Sequence, residues 1–565
     1  MIRRLLFIYT VCLLMAGTFP VWAARTMISP ADQSLIEQQQ KSLIEQAQQQ
    51  RESLQNNAPP LATPSSSPSQ ADSTLCQHIS HIDITHSSLI SLSRQKVLTA
   101  PWVNRCLTLP DINALVRNIT QDYLSQGYIT SRAWLPEQDI SHGHLYISIT
   151  EGRIESITHD GKSSLAIKMA FPNMVGQVLN LRDLEQGLEQ LNRLPSQPLT
   201  IDIQPGTKSG FSRIELVSSN KKSPLSLNVS VDNSGQKSTG ETQLTTSVTI
   251  DNPLGLADQW GFSASRDSEF HHDRRSRSLS GSVSLPYGYS LLSYLYNWSD
   301  FYQWIPFNGT QYPYAGHTQS HVLDVAHTLY RDGQQKLALN TSLTHRRIEN
   351  RLADERLSVS SPTLSSLSAG LNYSRTAAGG YLTFNPTYSR GIKALGSVDD
   401  DGHYPDMPRS EFRKYALSAS YFYPLTPSLY FLTSAYGQTT PDNLYASERL
   451  SVGGQYSVRG FKEHYLTGNR GAYWRNELNW QWTTLPWVGD VAITAAMDYG
   501  WVQPQKRLVD GGTVLGSALG LTIGERVWRQ SISVGKPLKY PNKLNPDSWV
   551  AYWQASIAYY HEGDR

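Results

Sequence analysis

From Pro224 onward, apolar and polar residues alternate along the chain with a period of two. Leu225, Leu227, Val229 and Val231 alternate with Ser226, Asn228, Ser230 and Asp232. Tyr294, Tyr296 and Trp298 do the same with Ser293, Asn297 and Ser299, and Leu337, Leu339 and Leu343 with Ala338, Asn340, Ser342 and Thr344. Further on, Ala472, Trp474, Leu478, Trp480 and Trp482 alternate with Tyr473, Arg475, Glu477, Asn479, Gln481 and Thr483. Such a pattern gives a β-strand one apolar and one polar face. The runs extend for about ten residues, against roughly 5–6 in an ordinary soluble strand, and Trp and Tyr fall on the apolar side. This predicts a membrane-spanning barrel whose polar face lines a lumen. At about 20 residues per strand and connection, residues 224–565 accommodate roughly 16 strands.

Upstream, from about Leu75 to Asn220, the pattern is mixed α and β. Ile79–Ile84 reads as a strand. Leu109-Pro110-Asp111 opens a helix that runs to about Gln126 and is ended by Gly127. Tyr128-Ile129 and Leu145–Ile149 read as further strands. A second unit repeats the plan, with a strand near Arg153–His159, a helix around Leu181–Leu194, and strands at Leu199–Ile203 and Ser212–Val217. Two small domains of about 75 residues each follow from this count, each with enough apolar positions for a modest core.

Before these units, Ser29-Pro30 reads as a helix cap with proline in the first turn. From Ser34 to Gln49 the octad SLIEQQQK is followed by its near copy SLIEQAQQ. Leu35, Leu43 and Leu54 are sparse on this Gln-rich surface, which predicts a solvated, weakly docked helix. Ala58–Asp72 is rich in Pro, Ser and Ala, the composition of an extended linker. Helix and linker together read as a detachable element, the alternative being an inert spacer.

Composition sets the compartment and excludes several chemistries. Arg3 and Arg4 precede the apolar run Leu5–Ala16, and Val21-Trp22-Ala23 ends in a residue suited to cleavage, so residues 1–23 read as a secretory signal. No later stretch approaches the ~20 apolar residues of a membrane helix, and an exported chain without one spans a membrane only as a closed barrel. Charged residues are 17% and the net charge is +2, too little basic excess for a broad grip on nucleic acid. Once Cys12 leaves with the signal, Cys76 and Cys106 remain. In an oxidising compartment they form one disulfide, worth about 3–4 kcal/mol in the chain-entropy description; the alternative is two unpaired buried thiols. His78, His81 and His86 lack converging carboxylates, and His271-His272-Asp273 reads as charged loop. With no nucleophile elbow or phosphate loop, no catalytic, metal or cofactor site is expected.

Two stretches carry the functional signal. In Gly453–Phe461 the paired glycines and Arg459-Gly460 describe a sharply bent loop presenting one guanidinium. In Val491–Trp501, Asp498 falls on the lumenal face among Ala492, Thr494, Ala496 and Gly500, which leave room for something folded inward. Arg459 is the natural occupant. Val458-Arg459-Gly460-Phe461 and Asp498-Tyr499-Gly500 resemble the two signature motifs of two-partner secretion transporters, of the haemolysin-activator and contact-dependent-inhibition type. Gly127–Ala133 with Glu151–Ile154 resembles the first periplasmic (POTRA) repeat of that family. Leu181–Gly187, Asn192–Ser196 and Pro205-Gly206 resemble the second. Asp232–Gly235 with Ser238–Gly240 resembles its opening barrel hairpin.

The resemblance implies a transmembrane β-barrel of about 16 antiparallel strands preceded by a plug helix and two small α/β POTRA domains. The implied division is a signal at 1–23, plug helix at 29–56, linker at 57–73, POTRA domains at 74–151 and 152–221, and barrel at 222–565. It implies an outer-membrane pore, not an enzyme, that recognises and exports one large unfolded β-helical exoprotein such as a haemolysin, adhesin or growth-inhibition toxin. The exoprotein would engage the periplasmic POTRA domains and the lumen. Outer-membrane lipid, lipopolysaccharide and the barrel-assembly machinery are the other implied partners. Arg459, within the loop Val458–Phe461, is expected against Asp498 and Gly500 of the wall strand. An outer-membrane insertase shares the arginine loop but usually carries more POTRA units and no plug helix.

Overall fold

The computed structural model describes residues 29–56, 76–218, 222–307, 309–400, 406–486, 488–505 and 509–560. The signal expected at 1–23 and the linker expected at 57–73 lie outside them.

The first α/β unit sets strand His81–Thr85 parallel to His144–Thr150, with Arg132–Trp134 antiparallel on the other edge. Helices α2 (Leu92–Thr99) and α3 (Leu109–Ser125) accompany this sheet. α3 starts where the sequence places it: Thr108 and Asp111 form a reciprocal capping box, with proline in the first turn. Its apolar stripe, Ile112, Leu115, Ile119 and Tyr123, is buried against Ile79, Leu145 and Ile147. Cys76–Ile79 pairs separately with Arg105–Thr108, and a disulfide joins Cys76 to Cys106 across that pair, Cα–Cα 5.3 Å.

Two expectations fail here. Ile79–Ile84 is not one strand, because Ser80 and His81 both donate their N–H to the Gly143 carbonyl (2.8 and 3.1 Å) and break the run between two sheets. Tyr128-Ile129 is a turn, not a strand. Gly127 adopts φ +92° and Tyr128 N–H donates to the Tyr123 carbonyl at 3.0 Å, so this backbone closes the helix end instead of joining a ladder.

The second unit sets Arg153–His159 parallel to Phe211–Ser218, with Leu199–Pro205 antiparallel at the edge. Helices α4 (Leu165–Ala170) and α5 (Leu181–Asn192) supply its core together with Phe171 and Ile214. The polar face of α5 docks onto the turns at one end of the barrel. Arg331 Nη1 donates to Gln186 Oε1 (2.7 Å) and lies 3.0 Å from Glu189, and Lys336 Nζ reaches Glu189 Oε1 at 2.5 Å. Tyr289 donates to Asp183, and Arg193 to the Ala257 carbonyl at 2.6 Å. Burial works to raise the Glu189 carboxyl, but Lys336 and Arg331 outweigh it and hold it below its ordinary value of 4.5. A carboxyl held low stabilises the joint above the ordinary value, and that stability is lost as pH falls through the lower folded value. Spin-label distances between α5 and the barrel should therefore be narrow at neutral pH and broaden only once acidification has passed the ordinary carboxyl value of 4.5 and reached the lower folded one. In Glu189→Gln they should be broad throughout.

Among the described residues, sixteen antiparallel strands close into a barrel, each paired to the next and the last, Val550–Tyr560, to the first, Leu225–Asp232. The two-residue strand Glu355–Arg356 adds only a rim pairing to Gln335–Leu352. Outward positions are aromatic and aliphatic, as in Trp474, Trp480, Met497, Tyr499 and Trp501. Inward positions are polar, and closure leaves no unpaired edge in the bilayer.

Helix α1 (Pro30–Asn56) threads the lumen, the place the resemblance implies for a plug; it is less solvated than its composition predicts, because the loop and barrel wall cover one side of it. At 27 residues it is about 40 Å long, matching a membrane with its headgroups. Ser29 Oγ caps it by accepting from Asp32 N–H at 3.1 Å. Ala31 packs on the inward Phe301 and Tyr314 near one rim, and Arg51 lies over the Phe422 ring (4.4 Å) near the other. A Gln-rich surface suits this position because the wall it meets is polar too.

Candidate functional site

The chain between strands Leu429–Thr439 and Gly471–Leu485 folds back into the barrel. Within it, Leu450–Val452 pairs with Leu466–Gly468. The tip between them carries Val458-Arg459-Gly460-Phe461. Val458 and Phe461 are fully buried, in a cluster with Val452, Tyr473, Val502 and Val514. Gly460 takes φ +99°, and a Cβ there would lie 2.6 Å from the Lys536 carbonyl oxygen.

Glycines in the wall make room for this approach. A Cβ on Gly516 would sit 1.8 Å from the Arg459 carbonyl oxygen, and one on Gly500 2.1 Å from the Val452 side chain. Gly516→Ala should therefore keep a heat-modifiable barrel but force the loop off the wall. The check is protease cleavage within residues 453–465, which should appear in folded G516A and be absent in wild type.

The arginine is held from three sides. Arg459 donates to Asp498 through its backbone N–H (3.0 Å), Nε (2.6 Å) and Nη2 (2.6 Å). Its Nη1 lies 2.9 Å from Glu477 Oε1, and the same oxygen accepts from Arg475 Nη2 at 2.8 Å. Asp498 is fully buried. The arrangement is two carboxylates and two guanidiniums, balanced in charge, with a forked geometry that a lysine does not reproduce. The structure thus brings Arg459 and Asp498 together, and places Gly500 under Val452 and Val458.

Glu477 was not singled out from the sequence, although it shares the polar face of its strand with Arg475. What was missing is register: Arg475 sits opposite Asp498, and Glu477 opposite Ala496. The loop is tied further by Tyr552, whose hydroxyl donates to the Phe461 carbonyl at 2.7 Å, and by a Lys462–Glu241 ion pair to the first hairpin.

Helix α1 meets both the loop and the wall through amides. Gln40 Nε2 donates to the Ser451 carbonyl at 2.7 Å, Gln46 to Asn372 and Gln50 to Asn385, each at 3.1 Å. Such neutral bonds net about 1 kcal/mol apiece, and water satisfies the same groups if the helix leaves. Leu43 and Gln46 border a gap lined by Asn340, Asn372, Asn385 and Ser418. The lumen therefore holds a firmly anchored loop beside a replaceable helix.

Comparison with known proteins covers both parts of this architecture. The family described as haemolysin secretion/activation protein ShlB/FhaC/HecB matches residues 210–523. POTRA families match residues 77–152, of ShlB type, and 153–205. The outer membrane transporter CdiB of Escherichia coli is 43% identical over 94% of this chain and 91% of its own. The hemolysin transporter protein HpmB of Proteus mirabilis is 32% identical over 80% of each. The solved structure of CdiB from Escherichia coli superposes with a TM-score of 0.91 at 42% identity, covering 95% of this chain and all of that one.

Proposed function

The chain belongs to the haemolysin secretion/activation (ShlB/FhaC/HecB) family of two-partner secretion transporters in the outer membrane, with its POTRA domains in the periplasm, and from that premise we propose how it works and what it carries. Its cargo is one large β-helical exoprotein of the growth-inhibition class, a reading favoured by 43% identity to a CdiB transporter against 32% to a haemolysin transporter.

An unfolded segment of the exoprotein is captured in the periplasm by strand addition to the open sheet edges, such as Leu199–Pro205. Helix α1 then leaves the lumen on its linker, and the chain passes outward and folds at the surface, which supplies the drive without nucleotide. Arg459 and Asp498, with Glu477, hold the loop against the wall during passage. The disulfide fixes the point where the linker enters the first POTRA domain. The barrel-assembly machinery inserts the barrel, and lipid with lipopolysaccharide surrounds it. Transport, not catalysis, is the activity.

The observation that carries this reading is the Gln40–Ser451 bond, because it puts a removable helix and the arginine loop in contact within one lumen. The test is secretion of the exoprotein's N-terminal fragment by cells with and without this protein. Export that depends on it supports the transporter. Export that persists in its absence, while other barrels fail to assemble, replaces it with an insertase.

A further inference from the structure

The second α/β unit docks on the turns around Ala257, Tyr289 and Arg331, which makes those turns periplasmic and the opposite strand ends extracellular. Strand Arg275–Tyr287 starts at the extracellular end. Its outward positions are Arg275, Arg277, Leu279, Gly281, Val283, Leu285 and Tyr287, a face identified by exposed Leu279 and Tyr287. Ten residues separate Arg277 from Tyr287. That is about 33 Å of strand, or about 25 Å of height at the usual tilt, the thickness of a barrel's apolar band. Arg277 therefore stands at the level of the outer-leaflet headgroups, one hydrocarbon thickness above an interfacial tyrosine.

It does not stand alone. Arg266, on the exposed face of strand Gln259–Asp267 with Phe262, is directly opposite Arg277 in the ladder. Like charges facing each other across strands repel. Asp300, on the next strand, is shared by Arg275 (Nη2, 2.9 Å) and Arg277 (Nε 2.8 Å, Nη2 2.7 Å). Arg266 stacks on the Phe270 ring at 4.6 Å and has no carboxylate partner among the described residues. Arg275 and Arg277 thus share Asp300, with Asp267 also acting on Arg277 through space, while Arg266 adds a third guanidinium across the ladder that does not reach Asp300. Arg275 and Arg277 each keep 41% of their side chain exposed. Below them Trp298 completes the apolar surface, with Arg277 5.7 Å from its ring.

The arrangement recurs on the same rim. Arg390 lies opposite Arg413, with the rings of Tyr388 and Tyr415 beneath them, 5.1 Å apart and tilted by 41°. Asp442 neutralises only Arg413, and Arg390 has no carboxylate partner among the described residues.

We propose that Arg266, Arg275 and Arg277 form a binding site for the phosphorylated sugar headgroup of an outer-leaflet glycolipid, with its acyl chains lying along Leu279 and Trp298. The charge is complementary: a phosphate monoester between Arg266 and Arg277 relieves their repulsion and accepts from the N–H groups that Asp300 leaves free, in the geometry guanidinium favours. The height is complementary too, since phosphate and hydrocarbon meet the arginines and the apolar strand face together. The site depends on the barrel's position in the membrane and not on export.

The experiment uses the purified full chain in detergent and measures binding of bisphosphorylated lipid A, its dephosphorylated form and phosphatidylglycerol. Wild type should bind bisphosphorylated lipid A at least about tenfold more tightly than either other lipid, a difference of about 1.4 kcal/mol. Arg266→Gln/Arg277→Gln should lose that preference, while Arg375→Gln, outward at the periplasmic rim, should keep it. Heat-modifiable mobility establishes that each variant is folded. Equal binding by wild type and the double variant overturns the site, and equal binding of phosphatidylglycerol reduces it to a general anionic surface. Export is not read in either arm, so failure here leaves the transport reading untouched.

Discussion

Replacing Arg459 by alanine stops export while the barrel stays folded. The substitution removes every side-chain bond from the loop to Asp498; Glu477 keeps Arg475, while Asp498 keeps only backbone N–H donors, those of residue 459 and Asn476, among the described residues. Removing one partner of a buried pair costs about 3–5 kcal/mol, because the remaining charge stays desolvated. A shift of that size changes the ratio of docked to free loop by at least about a hundredfold. The barrel survives because its strand ladder does not include the loop. Arg459→Lys keeps the charge but loses the fork, so it should export at an intermediate level. Arg459→Met/Asp498→Leu retains the neutral Arg475–Glu477 pair and should recover part of what Arg459→Ala loses, a coupling that a double-mutant cycle measures. The readout is secreted exoprotein per heat-modifiable barrel. Wild-type export by a folded Arg459→Ala variant would sink the role assigned to the arginine.

Deleting residues 29–56 should turn a closed barrel into a wide ion channel. A helix with its side chains is about 10–12 Å across, and a sixteen-stranded barrel is wide enough to leave an aqueous passage once it is gone. The walls are already suited to water, since Asn340, Asn372, Asn385 and Ser418 face the helix. The helix's own buried apolar side chains are few for its length: Ala31, Leu35, Ile36 and Leu54. Conductance in planar bilayers should rise by roughly an order of magnitude on deletion. Unchanged conductance in a folded barrel would mean that something other than α1 closes the lumen.

Much of this architecture was legible in the order of residues, for reasons that can be named. Period-two alternation in long runs with outward Trp and Tyr has few solutions other than a membrane barrel. The small neighbours of Asp498 marked a groove, and Arg459 was the guanidinium available to fill it. Local signals found α3 because capping and amphipathicity coincide in it. They missed α2, whose Leu92 and Val97 are exposed and give no stripe to detect. They misjudged α1 because solvation by water and by a polar lumen wall require the same glutamines. The sequence marks α5 only through a family motif; the cause of its docking, the charge and amide pairing of Glu189 and Gln186 to Arg331 and Lys336, depends on the tertiary structure.

Local order by itself determined the barrel, the two α/β units, the cysteine pair and the two motifs of the lumen. All of these rest on patterns of a few to a few tens of residues, in which burial periodicity, turn chemistry and spacing are written directly. Only the tertiary structure decided that Glu477 shares Arg459, that Gly516 clears its carbonyl, that Gln40 meets Ser451, and that Arg266 faces Arg277. Those facts depend on register between strands and on what the closed sheet encloses. A shift of one residue in any ladder turns each inward side chain outward, and alternation alone does not specify which neighbour it meets.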